Sequence, residues 1–247
     1  MYKIRSKFYK KEDMIFISHL DLVRIFERAF RRAYIPISYT QGFNPHPIMA
    51  FATALGVGIS SESEYIDIEL NEKIDLIEFM DRLNNQLPKG LKIIKSQYIS
   101  KDEVSLMATI QYSSYVVKVN LTEKINEKEL KCKLKSFLEL KEIKDLKTIK
   151  KKKGFKKTNK NHIKEINIRP LIKELSLIKK ENNEVLLMML LSAGSSGNLK
   201  PETVVKKFQE EMRISINLEK VRVNRLELFK EIEPQPLTPL DNINDGL

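Results

Sequence analysis

Between residues 18 and 33 the apolar side chains recur at spacings of three and four. At about 100° per residue, Leu22, Val23, Phe26, Ala29, Phe30 and Ala33 gather on one face of a helix. Asp21, Arg24, Arg28, Arg31 and Arg32 share another face, roughly a quarter of the circumference wide. Ser18 stands where an N-cap belongs, and Asp21 follows at the position that favours an acid near the positive helix end. Glu27 lies beside the basic stripe, within pairing reach of Arg24 or Arg31.

The same reading extends along the chain. Residues 2–9 alternate as a strand, 35–39 as a short strand, and parts of 48–57 extend along or beside it; 63–70 (E-Y-I-D-I-E-L after Ser63) alternates again. Residues 75–87 form an amphipathic helix with Leu76, Phe79, Met80 and Leu83 inward, stopped by Pro88 and Gly90, and 91–98 returns as a strand. The order β-α-β-β-α-β is that of a ferredoxin-like unit. Residues 110–121 predict a strand, 126–140 a helix, and four further strands follow within 146–191, the last two joined as a hairpin by 181–184. Pro201 opens a helix to residue 212, and 218–229 closes as a strand. The fold class expected is therefore α+β: a ferredoxin-like domain over 1–100, a second strand-rich α+β domain over 105–230, and a flexible tail over 231–247. Element order alone suggests that the second domain is also ferredoxin-like, with an insertion.

Charge changes this picture in one place. The chain of 247 residues has a formal net charge of +11, and nine lysines with no acidic residue occupy 147–164, leaving +2 for the rest. This run predicts a loop or hairpin tip. It can serve solubility alone, but with Phe155 between Lys151, Lys152, Lys153 and Lys156, Lys157 it also suits a phosphate backbone. The basic stripe on the first helix is open to the same two readings, a solvated face or an anion contact. Its use of arginine, in a chain otherwise richer in lysine, favours bidentate contact with phosphate or carboxylate. Cys132 is the only cysteine, so there is no disulfide framework, and a cytoplasmic location is expected. No apolar run approaches the roughly 20 residues that span a bilayer, so no membrane partner is expected.

Two histidines are candidate acid/base groups, since imidazole titrates near neutrality. His19 begins the arginine helix. His46 lies in Gln41-Gly42-Phe43-Asn44-Pro45-His46-Pro47, where flanking prolines stiffen the backbone and Gly42 permits a tight turn. Gln41, Asn44 and His46 are candidate RNA contacts there, and Phe43 would pin the loop if it were buried. Lys200, in a glycine-bearing loop before the 201–212 helix, is a further candidate anion contact. His19, Asp21 and His46 lack a recognised metal spacing, so neither a metal nor another cofactor is expected.

F-I-S-H-L-D-L-V-R-I-F-E-R-A-F-R-R-A, Q-G-F-N-P-H-P, L-G-V-G-x-x-S-x-S-E-Y-x-D, R-P-L-I-K-E-L and G-N-L-K-P-E together resemble the radical-SAM-linked protein family, uncharacterised proteins encoded beside or fused behind a radical SAM protein. The resemblance implies a radical SAM iron–sulfur protein as partner; one cysteine cannot supply the three thiolates of such a cluster. The expected function is an RNA-binding accessory that presents substrate to that enzyme for RNA modification, without catalytic activity of its own. One alternative is a metal-independent RNA endonuclease, with His19 or His46 as acid/base and Arg24 or Arg28 stabilising the phosphorane. Another is a protein-interaction scaffold that binds no RNA.

Overall fold

The computed structural model describes residues 1–149, 162–194 and 197–243. The elements in chain order are β1 (Tyr2–Lys10), α1 (His19–Arg32), β2 (Met49–Phe51), β3 (Ser60–Leu70), α2 (Leu76–Asn84), β4 (Leu91–Ile99) and the single-turn α3 (Leu106–Thr109). They continue with β5 (Tyr112–Asn120), α4 (Glu127–Glu139), β6 (Lys144–Ile149), β7 (His162–Asn167), β8 (Ile172–Glu181), β9 (Glu184–Ser192), α5 (Pro201–Met212) and β10 (Arg222–Phe229). The protein is α+β. It divides into two compact units, one of residues 1–117, 192–198 and 222–247, the other of residues 118–191 and 199–221.

In the first unit β1 pairs antiparallel with β3 and with β4, and β2 pairs antiparallel with the far half of β3. The order β4-β1-β3-β2 with α1 and α2 as connections is the ferredoxin-like arrangement. The near end of β3 takes β10 as a parallel neighbour, Asn224 opposite Ser60. Strand alternation divides the first unit's residues between two faces. Ile4, Phe8, Ile66 and Ile68 point to the helices and bury Leu22, Phe26, Ala29 and Phe30 of α1 with Phe79 and Leu83 of α2. Each fully buried phenylalanine there contributes roughly 2–3 kcal/mol over exposure. The expected strand at 35–39 is present only as isolated bridges at Ile37 and Tyr39, because Pro36 has no N–H to give a ladder.

The other face carries Arg5, Tyr65 and Asp67, and around these residues it is covered. Arg5 makes a bidentate pair with Asp67 at 2.8 and 3.0 Å and donates to the carbonyls of Val104 and Pro239, both at 3.1 Å. Leu106 and Leu240 pack beside Tyr65 in a second apolar cluster. Pro239 and Leu240 thus lie against this face.

In the second unit α4 packs on β8 and α5, with Phe137 and Phe208 edge to face at 5.4 Å. β8 and β9 form the hairpin expected around 181–184, and β6 with β7 makes a separate two-stranded ribbon. Along the chain this unit holds α4, the β8–β9 hairpin and α5, with the β6–β7 ribbon inserted between α4 and β8. Among the described residues no helix is long and apolar enough to cross a membrane.

Candidate functional site

Ser18 caps α1 as its sequence position requires: its hydroxyl accepts from the Asp21 amide at 3.2 Å and donates to the Asp21 carboxylate at 2.7 Å. That hydroxyl, and after it Arg24, hold the Asp21 carboxyl below its ordinary range. The cap fixes the helix start, so His19 occupies its first turn, and Val23 and Glu27 follow at four-residue steps along one edge. After α1 the chain returns through β2, which sets Met49 and Phe51 opposite that edge. The result is a groove of about 680 Å³ with His19, Val23, Arg24 and Glu27 on one side and His46, Met49 and Phe51 among the residues opposite.

The walls are positioned by packing. Phe51 stands edge-on to Phe8 at 6.0 Å and to Phe26 at 5.5 Å, which ties the groove floor to the core. The His19 ring meets Phe51 edge to face at 5.3 Å. Its Nδ1 is buried with no hydrogen-bond partner among the described residues. A metal-bound imidazole usually has its second nitrogen held by an acceptor, a support that His19 lacks. Asp21, paired with Ser18 and Arg24, does not join His19 and His46 in the groove. Among the described residues no group of three His, Cys, Asp or Glu side chains gathers in metal-binding geometry.

His46 is held by its backbone. Its amide donates to the Thr40 hydroxyl at 3.0 Å, and its carbonyl accepts from the Thr40 amide at 2.9 Å, closing the 41–45 loop. The ring stays 63% exposed, with Nδ1 3.9 Å from Glu27 Oε1, beyond hydrogen-bonding distance. Gly42 takes a φ of +131°, the turn its position calls for. Gln41 and Asn44 are exposed, and Phe43 is fully exposed at the loop tip, so it does not pin the loop.

The four arginines of α1 differ. Arg24 pairs with Asp21 at 3.2 Å while both are largely exposed, a contact worth little and open to exchange with a ligand. Arg32 donates to the Gln86 carbonyl at 2.7 Å. The Arg28 and Arg31 side chains are exposed and have no hydrogen-bonding or ion-pair partner among the described residues. Arg24 lines the groove, and Arg28 and Arg31 continue the same edge of the helix. Glu27 faces His46 rather than Arg24 or Arg31, and sequence reasoning missed it as a groove residue; its place four residues after Val23 and eight after His19 was the available signal.

Lys200 is exposed at the N-cap of α5, in the second unit, and caps nothing through its side chain. Lys151, Lys152, Lys153, Phe155, Lys156 and Lys157 lie outside the described residues.

The profile of a family described as "Uncharacterized protein conserved in bacteria (DUF2344)" matches residues 3–201. No curated protein matches the chain. Among solved structures the chain is similar to one in a Cbf5-Nop10-Gar1 complex, at 9% identity and a TM-score of 0.49, over 92% of this chain and 48% of that one. It is similar to one in an archaeal box H/ACA sRNP Nop10-Cbf5 complex, at 9% identity and a TM-score of 0.47, over 91% of this chain and 46% of that one. A third, in an H/ACA RNP bound to a substrate RNA containing 2'-deoxyuridine, has 8% identity and a TM-score of 0.47, over 91% of this chain and 46% of that one. The chain spans about half the length of these structures.

Proposed function

The chain belongs to DUF2344, a family of uncharacterised proteins conserved in bacteria, and from that premise we propose that its first unit binds single-stranded RNA along α1. The observation that carries this reading is the continuity of the groove with the arginine edge. The groove has an apolar floor fit for a base; beside it Arg28 and Arg31 are free to take phosphates, and Arg24 can exchange its exposed Asp21 contact for one. Single-strand readers combine these two parts, a stacking surface and a cationic track. The central strands of the sheet, where a ferredoxin-like unit usually offers its platform, are covered around Arg5 and Tyr65, which supports the helix edge as the contact in this reading.

In this reading the protein presents RNA in the cytoplasm, for modification, to a separate radical SAM enzyme, the partner implied by the resemblance of its motifs. A second reading, RNA cleavage by the chain itself, is favoured by one observation: both imidazoles line one groove, as acid and base would have to. Loss of cleavage in His19→Ala or His46→Ala with binding retained would select it.

The binding claim is tested by fluorescence anisotropy with a labelled single-stranded RNA at several salt concentrations. Reversing Arg28 and Arg31 together to glutamate should weaken binding at least tenfold. The same pair should flatten the plot of log affinity against log salt by about 1.4, roughly 0.7 for each phosphate no longer neutralised. Affinity and slope unaltered in the double variant would exclude the arginine edge.

A further inference from the structure

Glu27 is the one groove feature that phosphate binding does not explain. A carboxylate among arginines and imidazoles repels a phosphate, yet this one stands in the wall between His19 and Arg24 on one side and His46 on the other. Its side chain is only 26% exposed, and among the described residues it accepts no hydrogen bond. With no donor engaged in the protein, its two carboxylate oxygens are available to a ligand that brings donors of its own. The volume of about 680 Å³ falls within the roughly 300–1,000 Å³ of small-ligand pockets, and the floor of Met49 and Phe51 suits a flat ring.

Resting on the RNA reading of the same groove, we propose that Glu27 makes it a guanine-selective base pocket. The Watson–Crick edge of guanine carries two adjacent donors, N1–H and the N2 amino group, which match the two oxygens of one carboxylate. Adenine and cytosine each offer one amino group next to a bare ring nitrogen, whose lone pair faces the carboxylate. Uracil offers one N–H between two carbonyls. Only guanine therefore gives Glu27 two donors without a repulsive neighbour, and its O6 acceptor is left for the groove's own donors, Arg24 and the imidazoles. A bidentate contact of this kind discriminates by about 1–3 kcal/mol, and 1.4 kcal/mol is a factor of ten in affinity.

The experiment uses the full chain and labelled seven-nucleotide oligouridines whose central base is guanine, adenine, cytosine, uracil or hypoxanthine. The guanine oligonucleotide should bind about tenfold tighter than the adenine one, with hypoxanthine, which keeps N1–H and lacks the amino group, between them. Glu27→Gln should bring the guanine-to-adenine ratio within about twofold, the adenine oligonucleotide gaining, because a carboxamide pairs with adenine N6 and N1. A thermal melt of the variant checks its fold. Equal, salt-sensitive binding of all five would overturn the guanine pocket and leave the RNA reading standing. No binding of any would overturn both. A guanine preference that survives Glu27→Gln would take the role from Glu27.

Discussion

Two arginines are nearly removed from water, Arg5 opposite Asp67 and Arg225 opposite Glu64, the latter pair at 2.8 Å. Glu64 keeps Arg225 firmly protonated against the burial that would release its proton. Such pairs give little net stability when whole, but breaking one leaves a charge stranded. Asp67→Asn, which takes the counter-charge from Arg5, should cost about 3–5 kcal/mol, read as a lower midpoint in urea unfolding; a midpoint equal to wild type would mean that the backbone carbonyls of Val104 and Pro239 suffice. In the sequence Asp67 is one of the polar positions of the alternating run E-Y-I-D-I-E-L, which does not mark it as buried beside a partner. The identity of that partner was not visible. Arg5 lies 62 residues away, and only the strand register brings the two together.

At the scale of elements, α1 was the most legible part of the chain, because its apolar period, its cap and its arginine stripe agree with one another. Ser18→Ala should lower stability by about 1 kcal/mol through loss of the cap. It should also move the Asp21 carboxyl titration upward toward its ordinary 3.8, observable by NMR. Because the folded value lies below the unfolded one, the stabilisation linked to Asp21 is complete above pH 3.8 and is lost as the pH falls through the folded value. A variant with unchanged stability and an unmoved Asp21 would show that the cap is idle. Less legible were the elements whose form depends on distant chain. The 35–39 stretch has strand composition but only bridge pairing to the end of β3, since Pro36 offers no N–H to a ladder. The groove itself has no sequence signature: its walls come from α1 and from the chain around β2, which meet only through the core.

For the whole molecule, two numbers set the expectation. The 147–164 run contributes +9 to a net charge of +11, so a salt-dependent affinity measured on the intact chain mixes that run with the α1 edge. Affinity alone therefore does not locate the site, and the position of bound RNA on the chain does. The direct measurement is ultraviolet crosslinking of a single-stranded RNA to the intact protein, followed by mass spectrometry of the crosslinked peptides. If the account is right, crosslinks fall on peptides covering α1 and the 41–51 segment, with Phe43, His46 or Phe51 among the modified residues, and a guanine at the crosslinked nucleotide. Crosslinks confined to the 147–164 run, with none on α1 or 41–51, would contradict it.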